Sequence, residues 1–124
     1  MVIVGAGNIG RAIASYQDFN DRGFHIARIY ENDPQNIGTQ VGDYTVQDIG
    51  DMLLKILSLG IKLAVLAVPD SVAQEVTSQL IEAGVKAIPN YAPIAISVPL
   101  DVQVQHLDPV VYLQQMTYFL AEEN

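Results

Sequence analysis

The chain contains no cysteine, which excludes a disulfide framework, a thiol redox switch and cysteine-ligated zinc, and fits a reducing compartment. Basic residues are scarce, six Lys and Arg against fourteen Asp and Glu for a formal charge of -8. They are also scattered (Arg11, Arg22, Arg28, Lys55, Lys62, Lys86), so no cationic stripe forms and the chain is expected to bind DNA poorly by itself. No apolar run approaches the roughly 20 residues of a membrane span. No internal repeat or low-complexity linker is visible, and Met1-Val2-Ile3-Val4-Gly5 reads as a strand and not as a secretory leader. The expectation is a cytoplasmic protein with no membrane partner.

What is present is apolar material in the right places. Half of the 124 residues are hydrophobic, enough for one domain with its own core. Short apolar runs alternate with helical patterns, the signature of a parallel sheet covered by helices. Val2–Val4 is the first strand. The spacing then predicts a helix over about 9–18 with Ile9, Ala12, Ile13 and Tyr16 on its inward face. A strand over about 25–30 follows, ending at the turn signal Asn32-Asp33-Pro34. Residues 34–43 are polar and read as loop, and a short strand is expected at 44–46. Ile49, Met52, Leu53, Ile56 and Leu57 share the inner face of a helix closed by Gly60. The continuous run 63–68 suits a central strand buried on both sides. Ser71 and Gln74 suggest a capping box for a helix over 71–83, ended by Gly84. Strands near 86–89 and 102–106 come next, and a last helix is expected from Pro109.

The chemistry sits in Gly5-Ala6-Gly7-Asn8-Ile9-Gly10, which follows a strand directly and opens a helix. In that setting the first glycine permits the tight turn, the second lets a pyrophosphate approach bare backbone, and the third lets helix and strand pack closely. The helix start adds unpaired N–H groups and the positive end of its dipole. The fold this predicts is α/β, a Rossmann-type doubly wound, mostly parallel sheet with helices on both faces. Glu31, 21 residues beyond Gly10 at the end of the second strand, can hold ribose hydroxyls. Its carboxylate repels a 2′-phosphate, and no Lys or Arg follows until Lys55, so NAD is favoured over NADP. Asp33 competes for that role, and a solvated loop carboxylate is the plain alternative.

Further motifs make the chain more specific: Tyr16 and Phe19, Glu31-Asn32-Asp33-Pro34, Ala64-Val65-Leu66-Ala67-Val68-Pro69, Asn90-Tyr91-Ala92-Pro93, Val98-Pro99 and Leu107-Asp108. Together with the glycine turn, over roughly residues 1–120, they resemble the NAD(H)-binding domain of the Rex family of redox-sensing repressors. The resemblance implies an effector domain that reads the NADH/NAD+ ratio, prefers NADH, and sets the DNA affinity of a linked winged-helix domain. It implies cofactor contacts from Gly5, Ala6, Gly7, Asn8, Ile9, Gly10, Glu31, Ala67, Val68, Pro69, Asn90, Tyr91, Ala92 and Pro93. Sensor roles then fall on Tyr16 and Asp108, close to a terminal helix exchanged between the subunits of a homodimer. In the family the winged helix precedes the first Rossmann strand, whereas Met1 here already stands in that strand, so this chain is expected to reach DNA only through a domain it does not carry.

The residues also admit plainer readings. Tyr16 can be a packing residue. Asp108 before Pro109 suits a helix cap followed by proline at the first helical position. Val68-Pro69 and Ala92-Pro93 can be strand ends and nothing more. The terminal helix carries Val110, Val111, Tyr112, Leu113, Met116, Tyr118, Phe119 and Leu120. Being apolar nearly all round, it suits a dimer interface or an edge helix packed on the sheet. His25 and His106 lack ligand spacing and receive no metal or catalytic role. Because hydride transfer needs a positioned proton donor and a second pocket, and no tyrosine is followed by a lysine four residues later, no enzyme activity is expected. The alternatives are the cofactor-binding N-terminal domain of an NAD-dependent oxidoreductase, or a CoA-binding Rossmann module.

Overall fold

The computed structural model describes residues 1–16, 19, 22–107, 117 and 120. Its strands are β1 (Val2–Val4), β2 (Arg28–Glu31), β3 (Gln40–Val41), β4 (Tyr44–Thr45), β5 (Gln47–Asp48), β6 (Ala64–Leu66), β7 (Ala87–Asn90) and β8 (Gln103–His106). Its helices are α1 (Asn8–Ala14), α2 (Met52–Leu59, entered through a 3-10 turn at Ile49–Asp51) and α3 (Asp70–Glu82). Six strands form one sheet in the order β5-β2-β1-β6-β7-β8, and each described pairing within it is parallel. Starting at β1, the chain winds outward to one edge through β2 and β5, then returns to β6 and winds to the other. The direction of winding therefore reverses between β1 and β6, where doubly wound sheets bind their ligands.

Alternation along the strands explains the layers. Val2, Val4, Tyr30, Ala64 and Leu66 share one core with Met52 and Ile56 of α2 and Ala73, Val76 and Leu80 of α3. Ile3, Ile29 and Val65 point the other way and pack with Ala6, Val41 and Val46, flanked by Ile13 and Ala14 of α1. β1 and β6 are fully apolar because both of their faces are covered.

Several expectations need correction. α1 ends at Ala14 with Ser15 at its C-cap, and its inward face is Gly10, Ile13 and Ala14, one turn apart. Ile9 (47% exposed), Ala12 and Tyr16 (52%) lie outward, because contact of Gly10 with β1 fixes the rotation of the helix. In α2, Met52 and Ile56 are buried and Gly60 closes the helix at φ 65°, as anticipated, but Leu57 is exposed. At 100° per residue it lies about 140° from Met52. β2 starts at Arg28, not near 25. The supposed loop 34–43 contains β3, which pairs with β4 across a two-residue turn and buries Val41 in the core. The strand expected at 44–46 is β4 of that hairpin, Tyr44–Thr45, and a separate strand, β5, follows it and joins the edge of the main sheet. No capping box forms at α3. Gln74 instead donates to the Ser97 carbonyl and accepts its N–H, at 3.0 and 2.7 Å, while Pro69 occupies the cap position. Of the terminal helix expected from Pro109, Thr117 and Leu120 are helical, and the remaining residues lie outside the described set.

Candidate functional site

The glycine turn joins β1 to α1 at the reversal point, and its three glycines differ in what surrounds them. Gly5 has φ +109°, and a Cβ there would stand 2.2 Å from the Ala67 carbonyl oxygen. A Cβ on Gly10 would stand 1.8 Å from the Gly5 carbonyl oxygen. Both positions are closed to any side chain. At Gly7, with φ -78° and ψ -163°, a Cβ would meet nothing within 4 Å. Its missing side chain leaves space that the protein itself does not fill.

That space is a cleft of about 500 Å³, lined on one side by Gly7, Asn8 and Ile9 and at one end by Glu31, Asp33 and Asn36. Ala67, Val68 and Pro69 after β6, with Tyr91 and Pro93 after β7, complete it. A second cavity of about 320 Å³ shares Glu31, Asp33, Val68 and Pro69 with the first and reaches Gly5, Val72 and Val76. A third, of about 480 Å³ between Arg28, Tyr30 and Lys55, begins at the opposite end of β2 and has no share of the turn. The switch-point cleft is the candidate site because it alone of these offers an open backbone turn beside a carboxylate.

Glu31 is tied into the turn. One carboxylate oxygen accepts the Ala6 N–H at 2.9 Å; the other accepts those of Asn32 and Asp33 at 2.6 and 2.8 Å. A carboxylate offers about four acceptor positions, so it can still receive a hydroxyl from a ligand. Asp33 also lines the cleft while its own carboxylate accepts the Gln35 N–H at 3.0 Å. The cleft thus pairs backbone donors at one end with two carboxylates at the other, and among the described residues no cation lines it. Such a surface suits a phosphate over the turn and a neutral diol at the carboxylates, and it opposes a second phosphate there.

The structure brings Gly7, Asn8, Ile9, Glu31, Ala67, Val68, Pro69, Tyr91 and Pro93 together around this cleft. Gly5 faces the adjoining cavity, whereas Ala6, Gly10, Asn90 and Ala92 are buried behind the lining and shape it from within. Tyr16 stands outside, edge-to-face with Phe19 at 5.0 Å between ring centres. Asp108 lies outside the described residues.

Two contributors escaped the sequence reading. Asn36 lines the cleft from a segment read as a polar connector. Arg11 donates from Nε to the Ala6 carbonyl and from its guanidinium to Thr39 Oγ1, both at 2.8 Å, with longer reaches of 3.5 Å to Asn36 Oδ1 and the Gln40 carbonyl. It fastens the hairpin segment onto the turn. Its place directly after Gly10 was the available signal, but its partners beyond the turn lie 25–29 residues away.

Residues 1–94 match a family described as CoA binding domain. Over all 124 residues the chain is 46% identical to the redox-sensing transcriptional repressor Rex of Chloroflexus aggregans, covering 58% of that protein. The crystal structure of RSP in complex with beta-NADH superposes with a TM-score of 0.84 at 35% identity, over 98% of this chain and 59% of that one. RSP in complex with beta-NAD+ and operator DNA gives 0.85 at 35% identity, over 98% and 56%. The chain therefore spans somewhat under three fifths of the length of these relatives. Among the described residues no helix is long and apolar enough to cross a membrane.

Proposed function

We propose that this chain, which belongs to the CoA binding domain family, binds NAD(H) in the switch-point cleft as the redox-sensing effector domain of a Rex-like transcriptional repressor. The observation that carries this reading is the division of labour in the turn: Gly5 and Gly10 are glycine because the fold forbids anything larger, and Gly7 is glycine although the fold would admit a side chain. A ligand pressed against that backbone is what a Cβ would obstruct.

In this reading the N–H groups at Gly7, Asn8 and Ile9 receive the pyrophosphate, and Glu31 receives the adenosine ribose hydroxyls. Ala67, Val68 and Pro69 face Tyr91 and Pro93 across the nicotinamide half, with Asn90 and Ala92 setting the second wall and Ala6 and Gly10 the first. When bound, the nicotinamide ring supplies a redox-dependent charge, positive when oxidised and neutral when reduced. Walls built from alanine, valine, proline and a tyrosine ring solvate a cation poorly, which favours NADH over NAD+. We assign Tyr16 and Asp108 to sensing that difference beside a terminal helix exchanged in a homodimer, and place residues 1–124 in one Rossmann domain of a cytoplasmic protein. DNA contact is assigned to a winged-helix domain in the part of the relatives' length that this sequence does not span. The relatives are named as repressors and not as enzymes.

The family description favours CoA as a second reading. Calorimetric titration with NADH, NAD+, NADPH and CoA separates the two. NADH is expected to bind more tightly than NAD+ and far more tightly than NADPH. Equal affinities for NADH and NAD+ would remove the sensing role, and a preference for CoA would replace the nucleotide assignment.

A further inference from the structure

The second wall of the cleft stands on one buried amide. Asn90 ends β7 at 0% exposure. Its Oδ1 accepts the Ala92 N–H at 2.9 Å, and its Nδ2 donates to the Ile94 carbonyl at 2.9 Å. Both partners are backbone groups of fixed polarity, so the orientation of the amide is determined. Nδ2 also lies 3.1 Å from Nδ1 of His106, its direct neighbour in the β7–β8 register. An amide nitrogen can only donate. His106 Nδ1 must therefore accept, which leaves the imidazole neutral with its proton on Nε2.

We infer that Asn90 is the positioning residue of the Tyr91–Pro93 wall and that His106 holds it only while its Nδ1 is unprotonated, so that nucleotide affinity is linked to the protonation of His106. The inference rests on the NAD(H) reading above. A proton on Nδ1 sets N–H against N–H, the contact opens, and one N–H of a wholly buried amide loses its partner while the other keeps the Ile94 carbonyl. A loss of that kind is worth about tenfold in an equilibrium. The residues that β7 and the following loop bring to this strand end, Asn90, Tyr91, Ala92, Pro93 and Ile94, include no carboxylate or cation, and Tyr91 is the one titratable group among them. Asp108 follows two positions after His106, and the Lys86–Asp101 ion pair flanks the other end of the two strands.

The test compares NADH titrations of the wild type and His106→Gln at about pH 8 and about pH 5.5. Glutamine offers a side-chain carbonyl that accepts from Asn90 at both values. The wild type should bind about tenfold more weakly at the lower pH, the H106Q variant equally at both, and N90A about tenfold more weakly throughout. Imidazole nitrogen chemical shifts, recorded without nucleotide, should place the proton on Nε2 at the higher pH. Matching pH profiles for wild type and H106Q, or a proton on Nδ1 at neutral pH, overturn the inference. If N90A does not fold, the H106Q comparison and the shifts still decide it. Failure of every form to bind NADH overturns the nucleotide reading and the affinity linkage together, while the shifts report separately on the Asn90–His106 contact.

Discussion

Alanine at Gly7 and alanine at Gly10 ought to fail in opposite ways. At Gly10 the new methyl would be placed 1.8 Å from the Gly5 carbonyl oxygen and 2.9 Å from its carbon. Both belong to backbone, and no rotamer can relieve the overlap. Helix α1 must back away from β1 by more than an ångström, breaking the packing of Ile13 and Ala14 on Ile3 and Ile29. Overpacking of this kind costs about 3 kcal/mol or more, which for a domain of this size lowers the melting temperature by roughly 10 °C or more. At Gly7 the methyl meets nothing within 4 Å, and φ -78° is open to any residue. The cap position prefers glycine over alanine, at a cost of about 1 kcal/mol or less, and a stiffer unfolded chain offsets part of that. G7A should therefore melt close to the wild type. Its binding should suffer instead, because the methyl occupies the approach of the pyrophosphate, and a hundredfold weaker Kd, about 2.8 kcal/mol, is expected. Thermal melts by circular dichroism and calorimetric NADH titrations measure both quantities. If G7A binds NADH as the wild type does, the ligand does not rest where we place it; if G10A melts with the wild type, the steric account of the turn is wrong.

Glu31→Gln keeps the side-chain shape but removes the charge and one of the two acceptor oxygens that hold three backbone N–H groups; NADH affinity should fall about tenfold or more while discrimination against NADPH narrows, and unchanged discrimination in paired titrations would count against Glu31 at the ribose. Arg11→Met should cost about 1–3 kcal/mol in urea unfolding, with Arg11→Lys failing to restore it, since a point charge cannot span the Ala6 carbonyl and Thr39 Oγ1 as the guanidinium does. Burial pushes the Tyr30 phenol upward, outweighing the Arg28 cation that lowers it. A raised folded value means this contribution is intact below the unfolded value of about 10 and is lost as pH rises through the folded one, so alkaline unfolding followed by tyrosinate absorbance should be blunted in Tyr30→Phe. Lys86 holds the Asp101 carboxyl below its usual range across a 2.6 Å exposed contact. Its contribution should be present above the ordinary carboxylate range and vanish in acid, and solvent screening should keep Lys86→Ala at the wild-type melting temperature at neutral pH.

What could be read from the sequence was what depends on neighbours along the chain. Val2–Val4 and Ala64–Leu66 are apolar throughout because both of their faces are covered, and a continuous run of that length announces itself. The glycine spacing marked the turn and Glu31 its partner, because strand, turn and helix occupy consecutive positions. What could not be read depends on distant partners. Val41 is, with Ile37, one of the few apolar residues in a polar stretch, and its burial against the core beside Ile3 and Ile29 turns that stretch into a hairpin. Ser71 and Gln74 have capping-box spacing, yet Ser97, 23 residues from Gln74, captures the glutamine. The inner face of α1 was misjudged for a related reason. Hydrophobicity nominated Ile9 and Tyr16, whereas the contact between Gly10 and the Gly5 carbonyl decided the rotation.

The two walls of the cleft are built by the same device, and this bears on how the site can respond to a ligand. On one side Arg11 satisfies the Ala6 carbonyl while Glu31 satisfies the Ala6 N–H, so a single peptide-linked residue of the turn is held from both ends by side chains. On the other, Asn90 holds the Ala92 N–H and the Ile94 carbonyl. In each case a polar side chain replaces the ladder partner that the backbone loses where its strand ends. Such anchors fix each wall by side-chain hydrogen bonds, so little ordering remains to be done on binding. They also make each wall dependent on something beyond it, the hairpin through Thr39 on one side and β8 through His106 on the other. In the reading proposed above that arrangement has a use: a wall that merely packed could bind, but a wall tied to β8 couples what it has bound to a strand outside the cleft.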